Sequence, residues 1–266
     1  MTRRRLRAEL SFAAALLATS VRATLALRAA FWLQAGFMVA NNLLYFATWW
    51  IFFARFRDVG GWQLRDLAAL FGVVAAGWGT AGVLAGGVRE LARQITEGEL
   101  DAFLTQPKSV LLQSVSARSR ASGFGDVVSG LVLIYASGLV DLWSLPLVVV
   151  AVALSATTFL ATGVILHASA FWLDRSESLA MSLWEFMIPF SSYPPTLFSG
   201  ALRIVLFTVI PAGFIGFLPV GLLRAFSPGD LALACAGALA YAALAVGVFR
   251  RGLRHYESGS RWSVRA

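Results

Sequence analysis

Several apolar stretches of this chain exceed the roughly 20 residues that a helix needs to cross a bilayer, and this decides the class of fold before any motif is considered. They are interrupted once, by a long charged stretch from Arg89 to Arg120. Of the 266 residues, 58% are hydrophobic and 14% charged, whereas about a quarter are charged in a soluble domain. The mean hydropathy is +0.73. The chain reads as an all-α polytopic membrane protein, one transmembrane domain over residues 1–266.

The net charge of +8 would suggest nucleic acid if the basic residues formed one soluble patch. They flank apolar spans instead, which points to lipid headgroups and to control of topology, with no nucleic-acid partner. The single cysteine, Cys235, lies in an apolar run and supports neither a disulfide framework nor a metal cluster. Residues 1–28 superficially resemble a signal peptide. Glu9 interrupts the basic start, and Arg22 stands where a small-residue cleavage site belongs. An uncleaved amphipathic helix along the cytoplasmic interface fits better.

Spans are expected at about 29–53, 67–88, 123–142, 145–173 and 231–249, with Trp49 and Trp50 as outer-belt aromatics. Only Trp143 and Ser144 separate the third from the fourth, so a tight hairpin is expected there. Gly82 and Gly86 have the spacing that lets helices approach closely, either within the subunit or at a dimer seam. The stretch 179–223 is ambiguous, because prolines at 189, 194, 195, 211 and 219 divide it. It holds two spans, or one span and an outer re-entrant region over 191–223. With the re-entrant arrangement, six basic residues lie in the N-terminal segment, five in the 89–122 segment, one in the 174–177 turn and five in the 250–266 tail. Five remain outside. Positive charge prefers the cytoplasmic side, so six spans with both termini inside are favoured. Irregular backbone at membrane depth must pack against protein or line water.

A nucleotide-hydrolysing site is absent from the sequence. A phosphate loop ends in Gly-Lys-Ser/Thr, and the one lysine, Lys108, follows Pro107. No Gly-x-Ser-x-Gly or His-Glu-x-x-His string occurs, and His167 has no acidic neighbour at helical spacing, so it reads as a packing residue. Polar groups inside spans are costly and mark pathways or paired contacts. Gln34, Asn41 and Asn42 lie at i, i+7 and i+8, on one face of the first span, and either line a translocation route or bond another helix. Glu185 is a partner for Arg203 or for a cationic substrate, and Asp126 for Arg118 or Arg120. In the charged stretch, Glu97 to Pro107 reads as one short amphipathic helix stopped by proline. It either lies solvated on the membrane or docks into a groove on a soluble protein.

Gly98-Glu99-Leu100-Asp101 with Phe103-Leu104 and Pro107 forms one string. Others are Tyr193-Pro194 with Phe198, Gly200 and Leu202-Arg203; Ile210-Pro211; Pro219; and Gly252-Leu253-Arg254-His255-Tyr256-Glu257-Ser258-Gly259. In order and spacing the chain resembles the permease subunits of bacterial type-2 ATP-binding-cassette exporters. The resemblance implies six transmembrane helices, an interfacial N-terminal helix, a cytoplasmic coupling helix and an outer re-entrant hairpin in the bacterial inner membrane. It implies pairing with a second copy or a sister permease, on ATPase subunits that bind ATP and Mg, with no cofactor on this chain. The coupling residues are then Arg93, Ile95, Glu97, Glu99, Leu100, Asp101, Phe103 and Leu104. The translocation-path candidates are Gln34, Asn41, Asn42 and Glu185, and amphiphilic drugs, lipids or peptides are the expected cargo. A membrane transporter coupled to ions rather than to an ATPase is the alternative.

Overall fold

The computed structural model describes residues 3–56, 58–173 and 175–256. Arg57, Asp174 and the tail over 257–266, including Glu257-Ser258-Gly259, lie outside them. The described chain is all-helical apart from one isolated bridge in the loop after the first span, between Val59 and Trp62. In chain order the α-helices are α1 (Arg3–Ala26), α2 (Arg28–Arg55), α3 (Leu64–Ala85), α4 (Leu91–Thr96), α5 (Asp101–Leu104) and α6 (Val110–Ser116). They are followed by α7 (Ala121–Ala136), α8 (Leu145–His167), α9 (Glu177–Ser192), α10 (Ala201–Thr208), α11 (Leu218–Arg224) and α12 (Pro228–Leu253).

Among the described residues, four helical stretches are long and apolar enough to cross a membrane: Arg28–Arg55, Leu64–Thr96, Leu142–Phe171 and Pro228–Leu253. A fifth arises if Ala201–Thr208 and Gly213–Arg224, bent by 71°, count as one. The protein is therefore polytopic. At 1.5 Å per residue, the 16 residues of α7 reach about 24 Å.

Burial divides the helices sharply. α3 is the central one, with Leu67, Leu70, Val73 and Val74 fully enclosed. α2 and α12 are peripheral: Trp32, Leu33, Phe37 and Leu44 on α2 and Leu239 on α12 face outward, which costs nothing in hydrocarbon. α3 packs along α7 through a seam of glycines. A Cβ added at Gly72 would sit 2.6 Å from the Gly130 carbonyl oxygen, and one at Gly79 would sit 2.5 Å from that of Gly123. Each helix thus carries two glycines seven residues apart, facing the other pair. The Gly82–Gly86 pair singled out from spacing splits: a Cβ at Gly82 meets nothing nearer than 3.9 Å, whereas one at Gly86 would sit 2.9 Å from the Arg118 carbonyl oxygen.

One end of the bundle gathers the α2–α3 loop. There Asp66 accepts the Gln63 backbone N–H (2.9 Å) and pairs with Arg224 (3.0 Å), whose guanidinium lies over Trp62. Trp49 meets Tyr193 edge-on at 5.2 Å, and Gly60 abuts Thr196. The segment from Tyr193 to Arg224 thus leaves and returns beside the same loop. Pro211 and the π-turn at Gly213–Phe217 lie between its two halves.

The opposite end gathers α4, α5 and α6, the Ala168–Phe171 turn after α8, and the last turn of α12. α1 lies against α6. The Ser20 hydroxyl donates to the carbonyls of Ser116 (3.0 Å) and Ala117 (2.9 Å), and that of Thr24 to Ser119 (3.0 Å).

Two sequence expectations need correction. The third span ends at Ala136 rather than near 142; Gly138 (φ +69°) turns the chain, and Asp141 caps a short turn leading into α8. The connection is therefore longer than Trp143-Ser144. The stretch from Glu97 to Pro107 is not one helix. Gly98 adopts φ +79°, a left-handed conformation open to glycine, so the chain breaks between α4 and the single turn of α5.

Candidate functional site

Two constellations stand out, a charged knob at the α4–α5 end and a polar recess just inside it.

In the knob, Arg93 is the organiser. Its Nη1 meets Glu97 at 2.7 Å and Glu99 at 2.6 Å, and its Nη2 meets Glu90 at 3.3 Å. Glu90 also takes Arg118 at 2.9 Å. One planar guanidinium thus fixes carboxylates on both sides of the Gly98 turn, a geometry lysine cannot reproduce. Ile95 and Leu100 point inward and root the knob in the core. Full burial of a leucine such as Leu100 contributes about 1.5–3 kcal/mol. Phe103 packs partly against the same core. Glu97, Glu99 and Leu104 face out, with Leu104 47% exposed.

The coupling residues inferred from sequence therefore split into a buried root, an ionic clasp and an exposed tip. Asp101 has a partner the sequence did not reveal: the Tyr256 hydroxyl donates to its Oδ1 at 3.0 Å. Burial, then this bond, pushes the Tyr256 pKa up to about 12. Tyr256 also sits edge-on to Phe171, which meets Phe249. The chain after α12 is thereby fastened to the knob.

In the recess, Arg89 donates to Glu185 at 3.0 Å and lies over the rings of Trp78 (5.1 Å) and Trp184 (5.6 Å). The Glu185–Arg203 pairing weighed from sequence does not occur. Arg203 belongs to the 193–224 segment, whereas Glu185 lies midway along α9, facing the end of α3. Asp126 likewise pairs with neither Arg118 nor Arg120. It accepts from Asn42 Nδ2 at 2.7 Å, and the same amide donates to Ser129 at 2.9 Å. A buried carboxylate needs donors, and α2 supplies one. The three do not share one face as expected: Asn42 bonds another helix, while Gln34 and Asn41 lie on the exposed side of α2. The hundred-degree step per helical residue separates neighbours 41 and 42. His167 is buried, bonded at Nδ1 to the Gly163 carbonyl (2.8 Å) and set against Trp184.

Sequence reasoning missed Arg89 with its two tryptophans and Tyr256. Trp184 and Glu185 lie 95 and 96 positions from Arg89, a separation for which one sequence holds no signal. The tail string did point to Tyr256, without a mechanism.

No curated protein and no solved structure matches the chain. The family described as ABC-2 family transporter protein matches residues 39–260, from mid-α2 through the Tyr256 contact. The chain therefore belongs to the ABC-2 transporter family, as an integral membrane subunit of an ABC transporter rather than its ATPase.

Proposed function

We propose that this chain is the permease of an ATP-driven exporter of amphiphilic or lipophilic compounds, working as a dimer with itself or a sister permease. ATP and Mg reside on the partner subunits, and the knob of α4 and α5 is their lever. The observation that carries this reading is the build of the knob: rooted by Ile95 and Leu100, clasped by Arg93, and tipped by exposed Glu97, Glu99 and Leu104. A rigid, partly apolar projection suits a groove on a soluble partner.

Nucleotide binding shifts the dimer between inward- and outward-open states only insofar as it favours one of them. Six helices, α2, α3, α7, α8, α9 and α12, then cross the inner membrane, with the 193–224 segment re-entrant from outside and both termini in the cytoplasm. Its two ends meeting at the α2–α3 loop support that topology. Gln34 and Asn41, on the open face of α2, are the path residues available at a dimer interface. Glu185, which the ion-coupled alternative needs, is engaged by Arg89.

The test is co-purification of the ATPase with exposed-tip variants, Leu104→Asp and Ala102→Arg, which leave the clasp and root intact. Loss of the partner from a folded, membrane-inserted permease is expected. Retention of the ATPase at wild-type stoichiometry in both variants would overturn the docking role.

A further inference from the structure

At the knob end, a cleft of about 450 Å³ opens between the α1–α2 joint, the end of α3 and the connector entering α7. We propose that it binds the anionic headgroup of an amphiphile, whose tail lies along the outward face of α2. The inference rests on the exporter reading only in deciding whether that amphiphile is a resident lipid or cargo.

Three arginines line the cleft: Arg89, Arg118 and Arg120. Glu185 engages Arg89 and Glu90 engages Arg118. Arg120 is half-buried and has no carboxylate within 4.0 Å among the described residues. Its side chain also borders the narrow recess that leads past Arg89 to Asp126, a carboxylate already held by Asn42. A half-buried guanidinium without counter-charge is costly, and an anion entering the cleft offsets that cost.

The opposite wall is apolar, formed by Leu27, Ala30 and Phe31. Beyond it α2 presents Leu33, 74% exposed, and one turn on Phe37, 70% exposed. A charged seat at the rim thus continues into a hydrocarbon-facing strip, the layout of an anionic headgroup with its chain. Basic pockets between helices on the cytoplasmic side hold such headgroups. A zwitterionic head brings its own cation against Arg118 and Arg120 and gains less.

The experiment uses the purified full chain in a non-ionic detergent, read by tryptophan fluorescence because Trp78 and Trp184 border the adjoining recess. Dihexanoyl phosphatidylglycerol, dodecyl phosphate and dihexanoyl phosphatidylcholine are titrated in turn. The two anionic amphiphiles are expected to bind at least tenfold more tightly than the phosphatidylcholine. Arg120→Gln is expected to erase most of that preference, and Arg65→Gln, at the far end of α3, to keep it. Should Arg120→Gln fail to fold, Arg118→Gln together with competition by inorganic phosphate replaces it. Equal binding of all three amphiphiles, or an unchanged preference in the arginine variants, overturns the proposal. In nanodiscs carrying the ATPase complex, phosphatidylglycerol retained through ATP turnover identifies a resident lipid, and its release identifies cargo. Failure to recover an ATPase removes the exporter reading and leaves the binding result standing.

Discussion

Gly79→Ala and Gly82→Ala, three residues apart on one helix, should act in opposite directions. At Gly79 the new methyl would lie 2.5 Å from the Gly123 carbonyl oxygen and 2.6 Å from the Asp126 Cβ. Ordinary carbon contacts begin near 3.5 Å, so α3 and α7 must part by about 1 Å. A gap of that size forfeits a quarter to a half of each dispersion contact along the seam. Overpacking of this kind costs about 1–3 kcal/mol. The upper end applies here because the obstructing atoms are backbone or bonded directly to it. Separation of the helices also strains the Asn42–Asp126 bond, which joins α2 to α7. At Gly82 the methyl enters space open to 3.9 Å, and alanine's better helix propensity stabilises by up to about 1 kcal/mol.

With roughly 2–4 °C per kcal/mol for a chain of this size, Gly79→Ala should lose about 6–12 °C in apparent Tm while Gly82→Ala matches or exceeds the parent. Size-exclusion of the heated, detergent-solubilised protein measures both. Equal midpoints for the two variants would show that the glycine seam is not close-packed.

Three further outcomes are expected. Asn42→Leu leaves the Asp126 carboxylate buried without its α2 donor and should destabilise by about 2–4 kcal/mol; adding Asp126→Leu should restore part of it in the same thermal assay. The Tyr256 hydroxyl is held protonated to about pH 12 by burial and Asp101, against about 10 in an unfolded chain. The folded state therefore keeps the proton longer, and the tail contact is intact below pH 10 and lost between 10 and 12. Hydrogen exchange at 250–256 should rise across that window in the parent, and be high and pH-independent beyond the intrinsic rate in Tyr256→Phe. Gly98→Ala forces a side chain into the left-handed region at a cost of about 1–2 kcal/mol. It should weaken ATPase co-purification without displacing the protein from the membrane.

What the sequence made legible follows from chemistry confined to short windows. Apolar length located α2, α3, α8 and α12 within a few residues, and charge located the knob. The helix expected over 97–107 failed because one glycine at φ +79° outweighed a run of good helix formers. The glycine seam stayed hidden because small-residue spacing marks every glycine pair alike, whereas the partner helix decides which pair touches. Glu185 and Asp126 stood out in the sequence as acidic residues inside apolar spans, but their partners, Arg89 and Asn42, lie 96 and 84 positions away. Only the fold brings them together.

The hydroxyls of Ser20 and Thr24 hold carbonyls that the end of α6 leaves open, and Ser109 donates its N–H to Glu9. The first helix is therefore bolted to the chain that follows the knob, while its own continuity with α2 is interrupted at Leu27, where ψ is 67°. Mechanically it is a passenger of the knob end of the bundle and not an extension of the first membrane rod. A thrust delivered at residues 97–104 would carry it across the bilayer surface, with residue 27 as the swivel.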